Sequence, residues 1–168
     1  ELHTALLGDL NYNQTLHVLS NTTLDVNGII EVGNNIDFAF VDCILNFSQD
    51  AQILLDKVGN LKFENCTLRV CNPGTTWNGV LVSHKNARLI VDHCTFEDAQ
   101  SALQLKRDAS FTIIDNNFSN CYISIDVRNY FEDQHWGDSY TDPFSATTYF
   151  NGYITGNHVS GTGMLGEP

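Results

Sequence analysis

The chain repeats a pattern of about 22 residues in which apolar and polar side chains alternate and then shift phase by one position. A strand that is buried on one face has this alternation. A repeat of such length is typical of a solenoid, in which each copy buries its apolar face against its neighbours. Five copies start 23, 28, 22 and 41 residues apart, at Phe38, Leu61, Leu89, Phe111 and, more loosely, Gly152.

The phase shift falls on residue types that tolerate a positive φ angle, as a left-handed corner of one residue requires. These predicted corner residues are Asp42, Asn65, His93, Asp115 and Gly156. Directly after each corner an inward position recurs, occupied by Cys43, Cys66, Cys94, Asn116 and Asn157. A third short strand follows in each copy, for example at Ile53–Leu55 and Ile125–Val127.

Three short strands per copy predict an all-β fold, a right-handed parallel β-helix (solenoid) of about six to seven rungs. A β-sandwich also has many short strands, but it does not explain why one corner position recurs in every copy. We expect residues 1–168 to form a single β-helix domain that is a fragment of a longer chain. Phe63, Val91 and Ile113 should stack as one inward row.

Five cysteines could form disulfides in an oxidising compartment, but the register favours free thiols. Cys43, Cys66 and Cys94 are predicted to stack as small buried side chains. Cys71 and Cys121 are predicted to share another position with Ala99 between them, beyond disulfide reach. One disulfide, or a zinc site formed by the cysteine row with His93, remains an alternative.

The first insertion, residues 71–77, ends at Trp77, which is predicted to pack over the edge of a rung. The second insertion, residues 128–150, is a long aromatic and acidic loop. Binding functions often lie on such loops. The expected ligand-binding residues are Tyr130, His135, Trp136 and Tyr140.

Two alternatives remain for the 128–150 loop. Its aromatic side chains could instead cover an apolar edge of the coil. It could also hold Ca²⁺ through Asp133, Asp138 and Asp142, although their spacing matches no EF-hand. No other cofactor or metal is expected.

The formal net charge of −12 argues against nucleic acid or an anionic membrane as a partner. No apolar run reaches the roughly 18–20 residues of a membrane span. On the outer surface, Glu64 and Asp92 are predicted to lie on neighbouring rungs, flanked by Val41 and Ile114. They could act as acid and nucleophile on a glycosidic bond, or be solvated acids on an acidic surface.

Four further motifs resemble the β-helix repeat regions of secreted surface proteins of Bacteroidota. They are Trp77–Val80, Cys94–Ala99, Asn117–Ile123 and Ile154–Gly163, and the resemblance covers roughly residues 60–165. It implies an extracellular or cell-surface location and export by the type IX secretion system. The functions of such repeat regions are mostly unassigned, so the resemblance implies little about activity.

Together these observations favour a non-catalytic extracellular module, acting as a rigid stalk or adhesion surface. The expected partners are a polysaccharide or cell-surface glycan, bound through the 128–150 loop, and further rungs or domains of the parent chain. The alternative is a polysaccharide-degrading enzyme, a lyase or glycoside hydrolase, that uses Glu64 and Asp92.

Overall fold

The computed structural model describes residues 16–106, 109–128 and 152–161. These residues form strands that run through five complete turns and the first two strands of a sixth. In chain order, one turn after another, the strands are β1 (His17–Ser20), β2 (Thr23–Val26) and β3 (Ile29–Glu31); β4 (Ile36–Val41), β5 (Ile44–Phe47) and β6 (Gln52–Leu55); β7 (Gly59–Glu64), β8 (Thr67–Val70) and β9 (Gly79–Val82); β10 (Ala87–Asp92), β11 (Thr95–Glu97) and β12 (Ser101–Lys106); β13 (Ser110–Ile114), β14 (Asn117–Ser119) and β15 (Ile123–Arg128); and β16 (Gly152–Thr155) and β17 (His158–Ser160).

Every complete turn gives one strand to each of three parallel sheets. Sheet A has the order β1-β4-β7-β10-β13-β16, sheet B runs from β2 through β5, β8, β11 and β14 to β17, and sheet C contains β3, β6, β9, β12 and β15. This topology confirms the parallel β-helix with three strands per rung and excludes the sandwich. The described residues account for about five turns rather than six to seven. Within them, no helix has the length and apolar character needed to cross a membrane.

The predicted corners are confirmed, because all five residues have φ angles between 52° and 64°. Four of these corner residues, namely Asp42, Asn65, His93 and Asp115, also donate their backbone N–H to the next turn. Asp42 N, for example, donates to Glu64 O at 2.9 Å, and His93 N donates to Ile114 O at 3.1 Å. The hydrogen-bond ladder therefore continues around the corner, and its buried backbone groups are satisfied.

A second row of left-handed corners, which the sequence pattern did not reveal, separates sheets B and C. It comprises Asp50, Asp98 and Asn120, with φ angles between 53° and 62°. Asp98 N donates to Ser119 O at 3.0 Å, as in the first row of corners. Asp and Asn are the residue types that adopt this conformation most readily after glycine.

The interior consists of columns of side chains that follow the strand register. Phe63 pairs with Val91, and Val91 pairs with Ile113. All three are fully buried, which confirms the predicted row. In the same column, the rings of Phe40 and Phe63 stack with their centroids 5.3 Å apart. Each turn thus covers the apolar surface of the turn before it.

The inner position after the first corner is a column of thiols that continues as asparagines. Cys43, Cys66 and Cys94 are buried, and all five cysteines of the chain are free. The Cys66 thiol donates to Glu64 O at 3.3 Å. Asn116 accepts from Cys94 N at 2.7 Å through Oδ1 and donates to Val91 O at 3.1 Å through Nδ2. The thiol and the amide side chains of the column thus have hydrogen-bond partners in the backbone, and no disulfide is formed.

The prediction for the first insertion is wrong in two respects. Trp77 does not cover an edge but is fully buried, and its backbone pairs with Ala99. It therefore takes the position beside Ala99 that the sequence register assigned to Cys71, which instead lies exposed on the surface. The physical reason is the large apolar area of an indole, whose burial outweighs that of a thiol.

Candidate functional site

Two polar groups of side chains on the outer surface are candidates for function. The first, the corner cluster, comprises Lys62, Glu64, Asp92, His93 and Asp115 at the carboxyl end of sheet A. The second, the loop groove, is a cavity of about 620 Å³ on the outer face of sheet B beside the 71–77 insertion. Its lining residues are Asp25, Asn27, Asn46, Arg69, Val70, Cys71, Pro73, Glu97 and Asp98.

In the corner cluster, Glu64 and Asp92 lie directly opposite each other on β7 and β10. Strand spacing puts their backbones about 4.8 Å apart. Each carboxylate already has a cationic or ionisable partner within the chain. Lys62 Nζ lies 2.5 Å from Glu64 Oε2, and His93 Nδ1 lies 2.6 Å from Asp92 Oδ1. The predicted neighbours of the pair, Val41 and Ile114, occupy the flanking strands in register.

His93 is a member of this cluster that sequence reasoning treated only as a corner and a zinc alternative. Its other ring nitrogen, Nε2, lies 3.9 Å from Asp115 Oδ2, so the imidazole sits between two carboxylates. The hydrogen bond to Asp92, and then the negative charge of Asp92, raise the pKa of His93 above its ordinary value. The adjacent Asp and His at the phase shift were the signal for this contact.

We expect Asp92→Asn to lower the pKa of His93 towards 6.5, because the carboxylate that stabilises the imidazolium is removed. In the wild type the folded pKa is raised. Any stabilisation from this contact is therefore present below the unfolded pKa and is lost as pH rises through the folded pKa. Titration of the His93 ring by NMR measures the change, with His84 as an internal control. An unchanged His93 titration would contradict the assigned contact.

The described residues were also compared with the requirements of a metal site. In residues 16–106, 109–128 and 152–161, no group of three or more His, Cys, Asp or Glu side chains is arranged to hold a metal ion. The zinc alternative fails because Cys66 and Cys94 lie inside the coil while the His93 side chain is exposed outside it. The side chains of the corner cluster form ion pairs with one another and can bind or release protons.

The floor of the loop groove is a column of outward side chains from four successive strands of sheet B. Asp25, Asn46 and Arg69 are in register on β2, β5 and β8. Glu97 follows at the corresponding place on β11. The 71–77 insertion bulges outward here and forms a wall with Cys71 and Pro73. Strand spacing makes the floor about 14 Å long.

Hydrogen bonds connect the floor residues across the strands. Asn46 Nδ2 donates to Asp25 Oδ1 at 2.9 Å, and Arg69 Nε donates to Asn46 Oδ1 at 3.0 Å. Arg69 and Glu97 occupy neighbouring strands, but the Arg69 guanidinium hydrogen-bonds to Asn46 rather than pairing with the Glu97 carboxylate. Arg69 and Glu97 therefore form no ion pair in the groove.

Cys71 on the groove wall is an exposed thiol, but it is poorly suited to nucleophilic chemistry. Desolvation, followed by the nearby Asp25 carboxylate, raises the pKa of Cys71 above its ordinary value. The thiolate is the reactive form of cysteine, and a raised pKa makes it scarcer at neutral pH. The surroundings of Cys71 therefore do not activate its thiol as a nucleophile.

The ligand-binding residues predicted from the sequence are not among those that the structure describes. Tyr130, His135, Trp136 and Tyr140 lie outside the described residues, as do the calcium alternatives Asp133, Asp138 and Asp142. The described segment resumes at β16, which pairs with β13. The insertion therefore connects the fifth turn to the sixth. Comparisons of the chain with protein-family models, curated proteins and solved structures found no match.

Proposed function

We propose that this chain is a non-catalytic extracellular β-helix module that serves as a rigid stalk or adhesion surface. The observation that carries the proposal is the continuity of the core. The columns of buried side chains and the three hydrogen-bond ladders run through all five turns. Each turn is held by its neighbours, so the stack behaves as a rod along its axis. From the first turn to the sixth this rod is about 24 Å high by strand spacing.

The cysteine column is compatible with an oxidising environment. Cys43, Cys66 and Cys94 are at most 1% exposed, which protects them from oxidants in solution. Together with the motifs of residues 60–165, this supports a parent protein secreted by a member of the Bacteroidota through the type IX system. In such a parent, further rungs or domains would be the natural partners of this module.

Glycan binding is proposed for the 128–150 loop, because its aromatic side chains combine a flat apolar face with a hydrogen-bonding edge. Trp136 and Tyr140 are the main candidates, and Tyr130 and His135 are the further ones. Pyranose rings present patches of C–H groups as well as hydroxyls, which suits such a surface.

A glycan array, followed by a reducing-sugar assay on every positive glycan, tests this function. We expect binding without release of reducing ends. Trp136→Ala should weaken that binding about tenfold or more, as loss of an aromatic anchor does. The melting temperature of the Trp136→Ala variant should differ little from that of the wild type. Tyr122→Ala is the matched control, since Tyr122 is 63% exposed on the coil itself.

Cleavage is the second candidate, because Glu64 and Asp92 lie opposite each other at a spacing near that of acid and nucleophile in retaining glycosidases. If reducing ends are released, and Glu64→Gln and Asp92→Asn each abolish the release, the chain is an enzyme and the stalk proposal is wrong. Release that survives both substitutions would rule out this pair as the catalytic groups.

A further inference from the structure

We propose that the loop groove binds a neutral oligosaccharide. The inference goes beyond the proposed function, because the groove is built from residues other than the 128–150 loop. Its volume of about 620 Å³ lies within the range of small-molecule sites. Its floor crosses four strands, about 14 Å by strand spacing, which is long enough for two or three linked sugar rings.

The donor at the centre of the groove is fixed before any ligand arrives. Arg69 is held through Nε by Asn46, and Asn46 is held in turn by Asp25. The terminal nitrogens of Arg69 have no hydrogen-bond partner among the described residues. A guanidinium held in this way offers its remaining N–H groups in one plane, and little side-chain entropy is lost when they bind.

The acceptors lie on the next rung. The carboxylates of Glu97 and Asp98 line the groove without a hydrogen-bond partner in the described part of the chain. Sugar hydroxyls donate and accept at once, so a pair of neighbouring hydroxyls can bridge the guanidinium and a carboxylate. Pro73 provides apolar surface for the C–H face of a ring.

Charge selects among the possible ligands. The lining holds three carboxylates and a single guanidinium, and the chain as a whole carries −12. Uronic acids and sulfated glycans are therefore repelled. A basic peptide would be attracted by the acids but would meet Arg69 in the middle of the floor. A neutral glycan is repelled neither by the carboxylates nor by Arg69.

The proposal is tested by titrating the full chain with candidate ligands and recording its backbone and side-chain amide signals by NMR. The probes are neutral hexasaccharides of β-linked glucose, β-linked xylose and α-linked glucose, with hexagalacturonate and hexalysine for comparison. We expect at least one neutral hexasaccharide to shift the Asn46 side-chain amide and the backbone amides of residues 69–76. Arg69→Ala should raise its Kd about tenfold or more.

Arg88→Ala is the matched control, because Arg88 is an exposed arginine on sheet A, away from the groove. It removes the same charge and should leave the Kd within about twofold of wild type. Equal effects of the two substitutions, tighter binding of hexagalacturonate or hexalysine, or no groove shifts with any neutral probe would overturn the proposal. Shifts confined to residues 129–151 would also overturn it but leave the proposed function standing. Groove shifts in the wild type that the Trp136→Ala substitution leaves unchanged, with no shift in residues 129–151, would support the groove and contradict glycan binding by the loop.

Discussion

Replacing Val91 with Asp is expected to destabilise the fold by about 3–5 kcal/mol, because the carboxylate would be buried without a partner. Val91 is fully buried and lies in register between Phe63 and Ile113. Neither neighbour can donate a hydrogen bond. A loss of this size is a large part of the total stability of a typical domain. Urea unfolding followed by far-UV circular dichroism measures it.

Ile90→Asp is the matched control for Val91→Asp. Ile90 is adjacent in the same strand but points outward, half-buried, and pairs with Lys62 on β7 and Thr112 on β13. A carboxylate there reaches solvent and lies near the Lys62 ammonium. We expect it to cost less than about 1 kcal/mol. Equal destabilisation by the two substitutions would contradict the inward and outward alternation of sheet A.

Trp77→Ala is expected to destabilise the fold by about 3–5 kcal/mol, since it leaves a cavity where the largest fully buried side chain of the described residues was. The indole lies parallel to the rings of Phe47 and Phe96, with centroids 4.0 and 6.4 Å away. Its Nε1 also donates to Glu97 O at 2.9 Å. The same urea titration measures the effect.

Trp77→Phe separates packing from hydrogen bonding at this position. Phenylalanine keeps a stacked ring but loses the donor to Glu97 O, so we expect a smaller cost of about 1–3 kcal/mol. If alanine costs no more than phenylalanine, the indole does not fill the core as the structure places it. Trp77 would then pack over the edge of a rung, as the sequence alone predicted.

The strands and first corners were predictable because they depend on local physical chemistry. Alternation of apolar and polar residues fixes which face of a strand is buried, and a shift of one residue marks each corner. Asp42, Asn65 and His93 were recognisable as corners because few side chains tolerate a positive φ. The neighbouring positions of Glu64 and Asp92 followed from the same register.

The sequence by itself determined the parallel β-helix, since the repeat, the alternation and the corner residues recur in every copy and reinforce one another.

Only the tertiary structure decided how the first insertion is accommodated. An insertion breaks the repeat, so the position of Trp77 depends on the space between Phe47 and Phe96 rather than on spacing along the chain. The loop groove is a consequence of that choice. Because Trp77 points inward, Cys71 and Pro73 are pushed outward and form a wall beside Arg69. Its floor places side chains that are more than 70 residues apart in sequence, Asp25 and Glu97, along one groove.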